Sequence, residues 1–241
     1  MILVYSKYLI VIPTYNEVSN IGELLNNLKN SFKEVSILIV DDNSPDGTSE
    51  EVLKFQKKYK DIFLISRESK QGLGTAYIKG FEWALKLDYD YIIQMDADFS
   101  HKVSDLKKML NHSEKSTLVI GSRYVEGGST KGWTKSRVLL SKIANLLANY
   151  VLKINVKDLT GGFKVWPKKI LESISFDKIE LNGYSFQIEM NFLTSKAGFK
   201  ILEVPINFIE RANGKSKLSN SVVLEAIFYL IKNLNSKHET K

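Results

Sequence analysis

Five short apolar runs, with stretches of helical spacing between them, fill the first half of this 241-residue chain and leave few folds open to it. The runs are Tyr8–Pro13, Val35–Asp42, Ile62–Ser66, Tyr91–Asp98 and Thr117–Tyr124, with helical patterns near 18–30, 47–60, 74–87 and 103–112 between them. Strands alternating with helices pack as a mostly parallel sheet flanked by helices. Right-handed crossovers then bring the carboxyl ends of the strands, and the loops after them, to one rim. The second half has a different texture. It predicts a helix over 137–153 with a broad apolar face, a loop at Asp158–Gly162, a helix near 184–197, a strand at Ile201–Phe208 and a last helix at about Val222–Leu234. Glu126–Lys135 is glycine-rich and aperiodic, which predicts a mobile loop. No linker separates the halves. The expected organisation is a single α/β domain over 1–241, with parts at about 8–124 and 125–218 and a C-terminal helical extension at about 219–236.

The fourth run closes on Met95-Asp96-Ala97-Asp98. Residues two apart on a strand share a face, so both carboxylates are expected to project together at the rim where open α/β sheets bind ligands. Two oxygen donors there suit a hard divalent cation, Mg²⁺ or Mn²⁺, shared with a substrate phosphate. The bland alternative is a pair of solvated carboxylates capping the next helix. The second run continues Asp41-Asp42-Asn43-Ser44-Pro45-Asp46-Gly47. One of these acids can accept hydrogen bonds from a base or ribose, while Asp46 or Ser44 can cap the following helix. The first run leads into Pro13-Thr14-Tyr15-Asn16-Glu17, where Pro13, lacking an amide hydrogen, is expected to end the ladder.

A net charge of +7 and a pI near 9.2 call for a polyanionic partner. Nucleic acid is disfavoured, because the lysines are dispersed and no helix-turn-helix, zinc or aromatic-platform motif is present. No Gly-x-Gly-x-x-Gly follows the first strand, which argues against a dinucleotide-dependent oxidoreductase. Only four of the 34 basic residues are arginine: Arg67, Arg123, Arg137 and Arg211. In so lysine-rich a chain an arginine marks a place for a planar, bidentate grip on phosphate. The absence of cysteine rules out disulfides and thiolate metal sites. The N-terminal stretch has no signal-peptide pattern and no run reaches a membrane span, so a cytoplasmic location is expected.

In their order along the chain, the Pro13–Glu17, Val40–Gly47 and Met95–Asp98 segments resemble glycosyltransferase family 2, as do Lys70-Gln-Gly72-Leu-Gly74-Thr-Ala76, Gly80-Phe81 and Gly121-Ser-Arg123-Tyr. Ser100-His101, Asp158-Leu-Thr160-Gly-Gly-Phe163-Lys164, Gly183-Tyr-x-Phe-Gln187-Ile-Glu189, Glu203-Val-Pro205-x-x-Phe208 and Arg211-x-x-Gly214-x-Ser216-Lys217-Leu218 are similar to its dolichol-phosphate mannose synthase (polyprenol monophosphomannose synthase) branch. Three departures stand out: Val103 where proline is usual, Lys164 where arginine is common, and Thr160-Gly161-Gly162. The resemblance implies the nucleotide-sugar-binding type A fold, Rossmann-like, with a donor-binding first half and an acceptor-binding second half. It implies inverting, metal-dependent transfer of mannose from GDP-mannose to a polyprenyl (dolichyl) phosphate.

By resemblance, Pro13, Tyr15, Glu17, Asp42 and Asp46 line the nucleotide. Asp96, Asp98 and Ser100 hold Mg²⁺ or Mn²⁺ against the diphosphate. Arg123, Arg137 and Arg211 grip phosphates beside Ser141 and Lys217, and Asp98 with the three arginines forms the catalytic set. Arg67 is left as a solvated surface charge, and His101 is open between a structural and a functional role. The alternatives are transfer of glucose from UDP-glucose, a family transferase acting on a soluble glycan (with Glu189 as the residue to test for the base it needs), or an inactive nucleotide-binding protein. A lipid acceptor implies peripheral attachment to the cytoplasmic face of a membrane. That attachment would come through the 137–153 helix, the terminal helix, or a small membrane-anchoring partner subunit as in some relatives, with packing against the sheet as the alternative for either helix.

Overall fold

A computed structural model describes residues 7–181, 183, 185–210 and 229–232. The chain begins with β1 (Tyr8–Thr14), α1 (Val18–Ser31), β2 (Ser36–Asp41), α2 (Thr48–Lys58), β3 (Ile62–Ser66), α3 (Leu73–Leu85), β4 (Tyr91–Gln94), α4 (Val103–Leu110) and β5 (Thr117–Ser122). It continues through β6 (Ser129–Lys131), α5 (Lys135–Leu152), β7 (Lys164–Pro167), α6 (Lys168–Glu172), α7 (Phe186–Lys196), β8 (Lys200–Pro205) and β9 (Asn207–Ile209). Seven strands form one sheet in the order β3-β2-β1-β4-β7-β5-β8, parallel except where β7 pairs antiparallel with β4 and β5. The chain steps outward from β1 to β3 and then returns to the other side of β1. The carboxyl ends of β1 and β4 therefore flank the point where strand order reverses, the ligand-binding crevice of open α/β sheets.

Strands buried on both faces need uninterrupted apolar runs, and β2 and β5 are buried along their whole length. Along β1, Leu9 and Val11 enter one layer with Tyr77, Phe81 and Trp166, while Ile10 and Ile12 enter the other with Ile21, Leu24 and Leu25 of α1. α3 lies so close over β1 that a Cβ on Gly80 would fall 2.3 Å from Val11 Cγ1. Only glycine fits there.

The secondary structure departs from the sequence reading in five places. Pro13 does not end the ladder: β1 pairs with β2 as far as Thr14 but with β4 only as far as Val11. The proline therefore sits beyond the last β4 pair. β4 itself stops at Gln94, so Asp96 and Asp98 lie in the following loop and not on one strand face. β7, four residues long, was not anticipated between β4 and β5. The expected mobile loop is partly sheet: β6 pairs with β9, Ser129 N donates to Ile206 O at 3.0 Å, and a Cβ on Gly128 would lie 2.7 Å from the Ser122 carbonyl. The expected strand at 201–208 is divided at Ile206 into β8 and β9, which serve different sheets. Arg211, Lys217 and most of the anticipated C-terminal helix lie outside the described residues, of which 229–232 are helical. Among the described residues no helix is long and apolar enough to cross a membrane.

Candidate active site

At the end of β2 the two adjacent acids have separate duties. Asp41, fully buried, accepts from Thr14 Oγ1 (2.6 Å), Ser44 N (2.9 Å), Ser44 Oγ (2.6 Å) and Ser49 Oγ (2.9 Å), which knits the β1 and β2 ends together. Asp42 faces Arg67 in an ion pair whose two side chains are each 7% exposed. Arg67 also donates to Thr75 Oγ1 at 2.8 Å and to Gly72 O at 3.1 Å. Contrary to the sequence reading, Arg67 is a buried strut and not a solvated charge. It fixes Asp42 and the start of α3 together.

Asp46 stitches two helix starts. One oxygen accepts from Val18 N at 3.1 Å and the other from Thr48 N (3.0 Å) and Thr48 Oγ1 (2.6 Å). Partial burial acts to raise its pKa, but these hydrogen bonds outweigh it and hold the carboxyl below its ordinary value. Tyr15 lies on the same rim with the Lys70 ammonium 4.1 Å from its ring centre. Glu17 is buried, accepts from Asn20 Nδ2 at 2.8 Å, and its amide donates to Thr48 Oγ1 at 3.0 Å.

The acidic loop after β4 is braced from several sides. Tyr77 donates its hydroxyl to Asp96 Oδ1 at 2.7 Å, and Asp98 Oδ1 accepts from Ser100 N at 3.0 Å. Phe99 adopts φ +60°, a left-handed conformation costly for a bulky residue. His101 Nδ1 accepts from Asp96 N at 3.2 Å, which assigns the ring proton to Nε2. Its ring stacks on Phe163 with centroids 4.7 Å apart, and burial pulls its pKa below the ordinary value while Asp96 and Asp98 act the other way. His101 thus works as a neutral brace. A Cβ on Gly162 would meet Asp96 Oδ2 at 3.5 Å and Gln187 Nε2 and His101 Cε1 at 3.8 Å, so the 158–163 loop lies against Asp96 and His101.

The donor set fits a hard divalent cation. Asp96, Asp98 and Ser100 offer oxygen alone, and Nδ1 of His101 is taken by a backbone amide. Among the described residues no group of three or more His, Asp or Glu side chains converges. Two carboxylates leave much of a six-ligand shell to water and substrate phosphate.

Arg123, at the end of β5, is held from three sides by the fully buried Asp158. The backbone amide (2.9 Å) and Nε (2.7 Å) donate to Oδ2, and Nη2 donates to Oδ1 at 2.5 Å. Nη2 also reaches Thr160 Oγ1 at 2.8 Å, and the guanidinium lies 5.1–5.4 Å from the ring centres of Tyr124, Trp133 and Phe208. Burial works against its charge, but Asp158 outweighs burial and raises the pKa further. Arg137, in the first turn of α5, stacks 4.1 Å from the Trp133 ring centre and pairs with Glu210. Ser141, one turn on, accepts the Tyr124 hydroxyl at 2.7 Å. Edge contacts from His101 to Phe208 and from Phe208 to Trp133 join the acidic loop to this arginine cluster.

The structure thus brings together Asp96, Asp98 and Ser100 on one loop, and Arg123, Arg137 and Ser141 on a second group of elements. Pro13, Tyr15, Glu17, Asp42 and Asp46 lie along the β1 and β2 ends. Arg211 and Lys217 fall outside the described residues. Glu189, the residue to test as a base, has its carboxylate taken up by the amides of Glu180 and Leu181 (2.9–3.2 Å), while burial raises its pKa. Sequence reasoning missed Arg67, Tyr77 and Trp133 as organisers of these groups. The scarcity of arginine was the one signal that pointed at Arg67.

Residues 9–175 match the family described as Glycosyl transferase family 2. Over 221 residues the chain is 40% identical to undecaprenyl-phosphate mannosyltransferase from Micrococcus luteus, covering 92% of this chain and 91% of the relative. It is 39% identical over 224 residues to polyprenol monophosphomannose synthase from Mycolicibacterium smegmatis, covering 92% and 84%. Among solved structures, glucosyl-3-phosphoglycerate synthase from Mycobacterium tuberculosis with Mn²⁺, uridine diphosphate and phosphoglyceric acid superposes with a TM-score of 0.69 at 18% identity, over 95% of this chain and 78% of that one. That likeness is one of fold. With the family match spanning the sheet rim and both acidic loops, the chain belongs to glycosyltransferase family 2.

Proposed function

We propose that this chain transfers mannose from GDP-mannose to a polyprenyl phosphate, with inversion at the anomeric carbon, giving polyprenyl phosphate mannose and GDP. The observation that carries the proposal is 39–40% identity, over 92% of the chain, to two proteins named for mannose transfer to a polyprenyl phosphate. Asp96, Asp98 and Ser100 hold Mg²⁺ or Mn²⁺ beside the donor diphosphate. When bound, the cation offsets charge that develops on the departing nucleotide. Pro13, Tyr15, Glu17 and Asp42 form the nucleotide side of the crevice, where Arg67 keeps Asp42 from swinging away.

An acceptor phosphate is already anionic at neutral pH, so it attacks without a general base. The engagement of Glu189 by backbone amides agrees with that chemistry and disfavours a soluble-glycan acceptor. Arg123, Arg137 and Arg211, with Ser141 and Lys217, hold and orient the phosphates. Placing a phosphate oxygen in line with the anomeric carbon lowers the barrier through orientation. Such an attack inverts the carbon and forms no covalent enzyme intermediate. A polyprenyl acceptor requires the enzyme to work at a membrane surface.

Radiolabelled transfer into lipid tests the proposal. GDP-mannose and UDP-glucose are compared with a polyprenyl phosphate, with and without Mg²⁺ or Mn²⁺, beside Asp98→Ala. Label from GDP-mannose alone, dependent on cation and reduced at least ~100-fold in the variant, is expected. Label from UDP-glucose instead would overturn the sugar, and cation-independent transfer would overturn the role of the acidic loop.

A further inference from the structure

Arg123 and Arg137 are each paired with a carboxylate, but in different ways. Asp158 has no solvent exposure, receives three hydrogen bonds from Arg123 and leaves that side chain 8% exposed. Glu210 meets Arg137 in an ion pair that leaves the arginine 33% and the glutamate 36% exposed. The first carboxylate is built in, whereas the second can be exchanged. Exposed ion pairs contribute little to stability, so an anion from solvent can take the place of Glu210 at small cost. The surroundings hold both residues where they are when the pair parts. Arg137 lies in the first turn of α5, its amide donates to Thr134 Oγ1 at 3.3 Å, and its guanidinium stacks 4.1 Å from the Trp133 ring centre. Glu210 follows β9 directly, and its amide donates to Lys131 O at 2.9 Å. A Cβ on Gly132 would fall 2.8 Å from Glu210 Cβ, so the two backbones are pressed together. Rotation of the Glu210 side chain is therefore enough to uncover Arg137.

We propose that Glu210 is a displaceable counter-ion of Arg137, leaving the guanidinium when the acceptor's phosphomonoester arrives and returning once transfer has made that group a diester. The inference rests on the proposed acceptor phosphate site at Arg137. A guanidinium fork grips carboxylate and phosphate oxygens alike, so the two anions contend for one place. That contention weakens the hold on every phosphate by one common factor. A monoester, with nearly two negative charges and three terminal oxygens at neutral pH, binds in spite of it. Transfer joins one of those oxygens to the anomeric carbon, while the bond from that carbon to GDP breaks and its electron pair leaves with GDP. The resulting diester keeps one charge and two terminal oxygens. Its weaker hold no longer outweighs a tethered carboxylate, and the product is released. Asp158 cannot act in this way at Arg123, because its departure would strand a buried charge.

Calorimetric titration of the full chain with geranyl phosphate, a short water-soluble monoester, tests the proposal without turnover. Glu210→Gln and Glu210→Ala should each bind it about three- to tenfold tighter than wild type, and Arg137→Gln should bind it more weakly. In the Arg137→Gln background the gain from Glu210→Gln should vanish, because it acts through that guanidinium. Synthetic geranyl phosphate mannose, the diester, should also bind Glu210→Gln tighter than wild type by a similar factor. In transfer assays KM for geranyl phosphate should fall in Glu210→Gln, with a smaller change in KM for GDP-mannose. Unchanged or weaker binding of the monoester in both Glu210 variants would overturn the inference and make Glu210 a brace for Arg137. So would a gain that persists without Arg137, an unmoved affinity for the diester, or no measurable binding by wild type and Glu210→Gln alike. Titrations that follow the expectations while no protein labels lipid from GDP-mannose would keep the counter-ion and sink the proposed transfer instead.

Discussion

Asp158→Asn should unfold this protein more readily than any surface change. The carboxylate has no solvent exposure and receives three hydrogen bonds from Arg123, whose side chain is 8% exposed. The amide keeps the shape but discards the charge, and its NH₂ group presents a donor to a donor. What remains for the guanidinium is one neutral amide oxygen, Thr160 and three aromatic rings. Removing one partner of a buried pair costs about 3–5 kcal/mol. For a chain of this size, each kcal/mol shifts the melting temperature by about 2–4 °C, so a drop of roughly 6–20 °C is expected. Urea unfolding followed by tryptophan fluorescence and far-ultraviolet circular dichroism gives the free energy, provided that the two probes agree and the slope is unchanged.

The companion measurement is Arg123→Met/Asp158→Leu. Discharging both partners removes the uncompensated charge, and methionine keeps contact with the rings. The double variant should be more stable than Asp158→Asn alone, and with the Arg123→Met and Asp158→Leu single variants it should show a coupling of about 2 kcal/mol or more. Restored stability with transfer still abolished would separate the ion pair's structural duty from the proposed phosphate binding by Arg123. A loss under ~1 kcal/mol in Asp158→Asn, or additive costs in the double variant, would refute the reasoning.

Burial pulls the Lys164 ammonium well below the ordinary 10.5. Between that lowered value and 10.5 the unfolded chain holds a proton that the folded chain has released, so stability climbs with pH through that interval. Lys164→Met should flatten the climb, read from urea midpoints between pH 7 and 10; an equally steep climb in the variant would assign it to another group. Gly80→Ala should cost about 1–3 kcal/mol through its overlap with Val11, despite alanine's better helix propensity, and Val11→Ala in the same chain should relieve part of the loss. An unchanged thermal midpoint in Gly80→Ala would show that α3 and β1 part without strain. Arg67→Met should raise KM for the sugar nucleotide about tenfold by releasing Asp42, with a smaller change in kcat. Steady-state kinetics that leave KM unmoved would remove Arg67 from the nucleotide side.

What was legible in the sequence was local and periodic. β1, β2, β3 and β5 are apolar runs of five to seven residues, and α1 repeats Ile21, Leu24, Leu25 and Leu28 at helical spacing. β7 has four residues and begins with a buried lysine, which composition alone marks as surface. The run through Asp98 overshot β4 because Met95 and Ala97 are both buried and continue the alternating pattern after the backbone has left the ladder. Neither the left-handed turn at Phe99 nor the bracing of Asp96 by Tyr77, 19 residues earlier, has a local signature. Arg67 was misread for the same reason: its partner Asp42 lies 25 residues away, and only the parallel pairing of β2 with β3 makes them neighbours.

The two acidic pairs show why adjacent carboxylates at a sheet rim need not share a role. Like charges in a low dielectric repel, so each must find its own compensation. Asp41 meets hydroxyl and amide donors within 2.9 Å and serves as mortar between β1 and β2. Asp42 meets a guanidinium that also grips the start of α3, so it is aimed but held. Asp96 and Asp98 instead share a short loop braced by Tyr77 and His101, and among the described residues no group of three or more His, Asp or Glu side chains forms a metal site around them. A cation held by two carboxylates retains much of its hydration, which makes it weakly bound until phosphate oxygens replace that water. With a cation on Asp96 and Asp98, as proposed, the two binding events would be coupled, each improving the other to the same degree. A third carboxylate would hold the metal without the nucleotide and weaken that coupling.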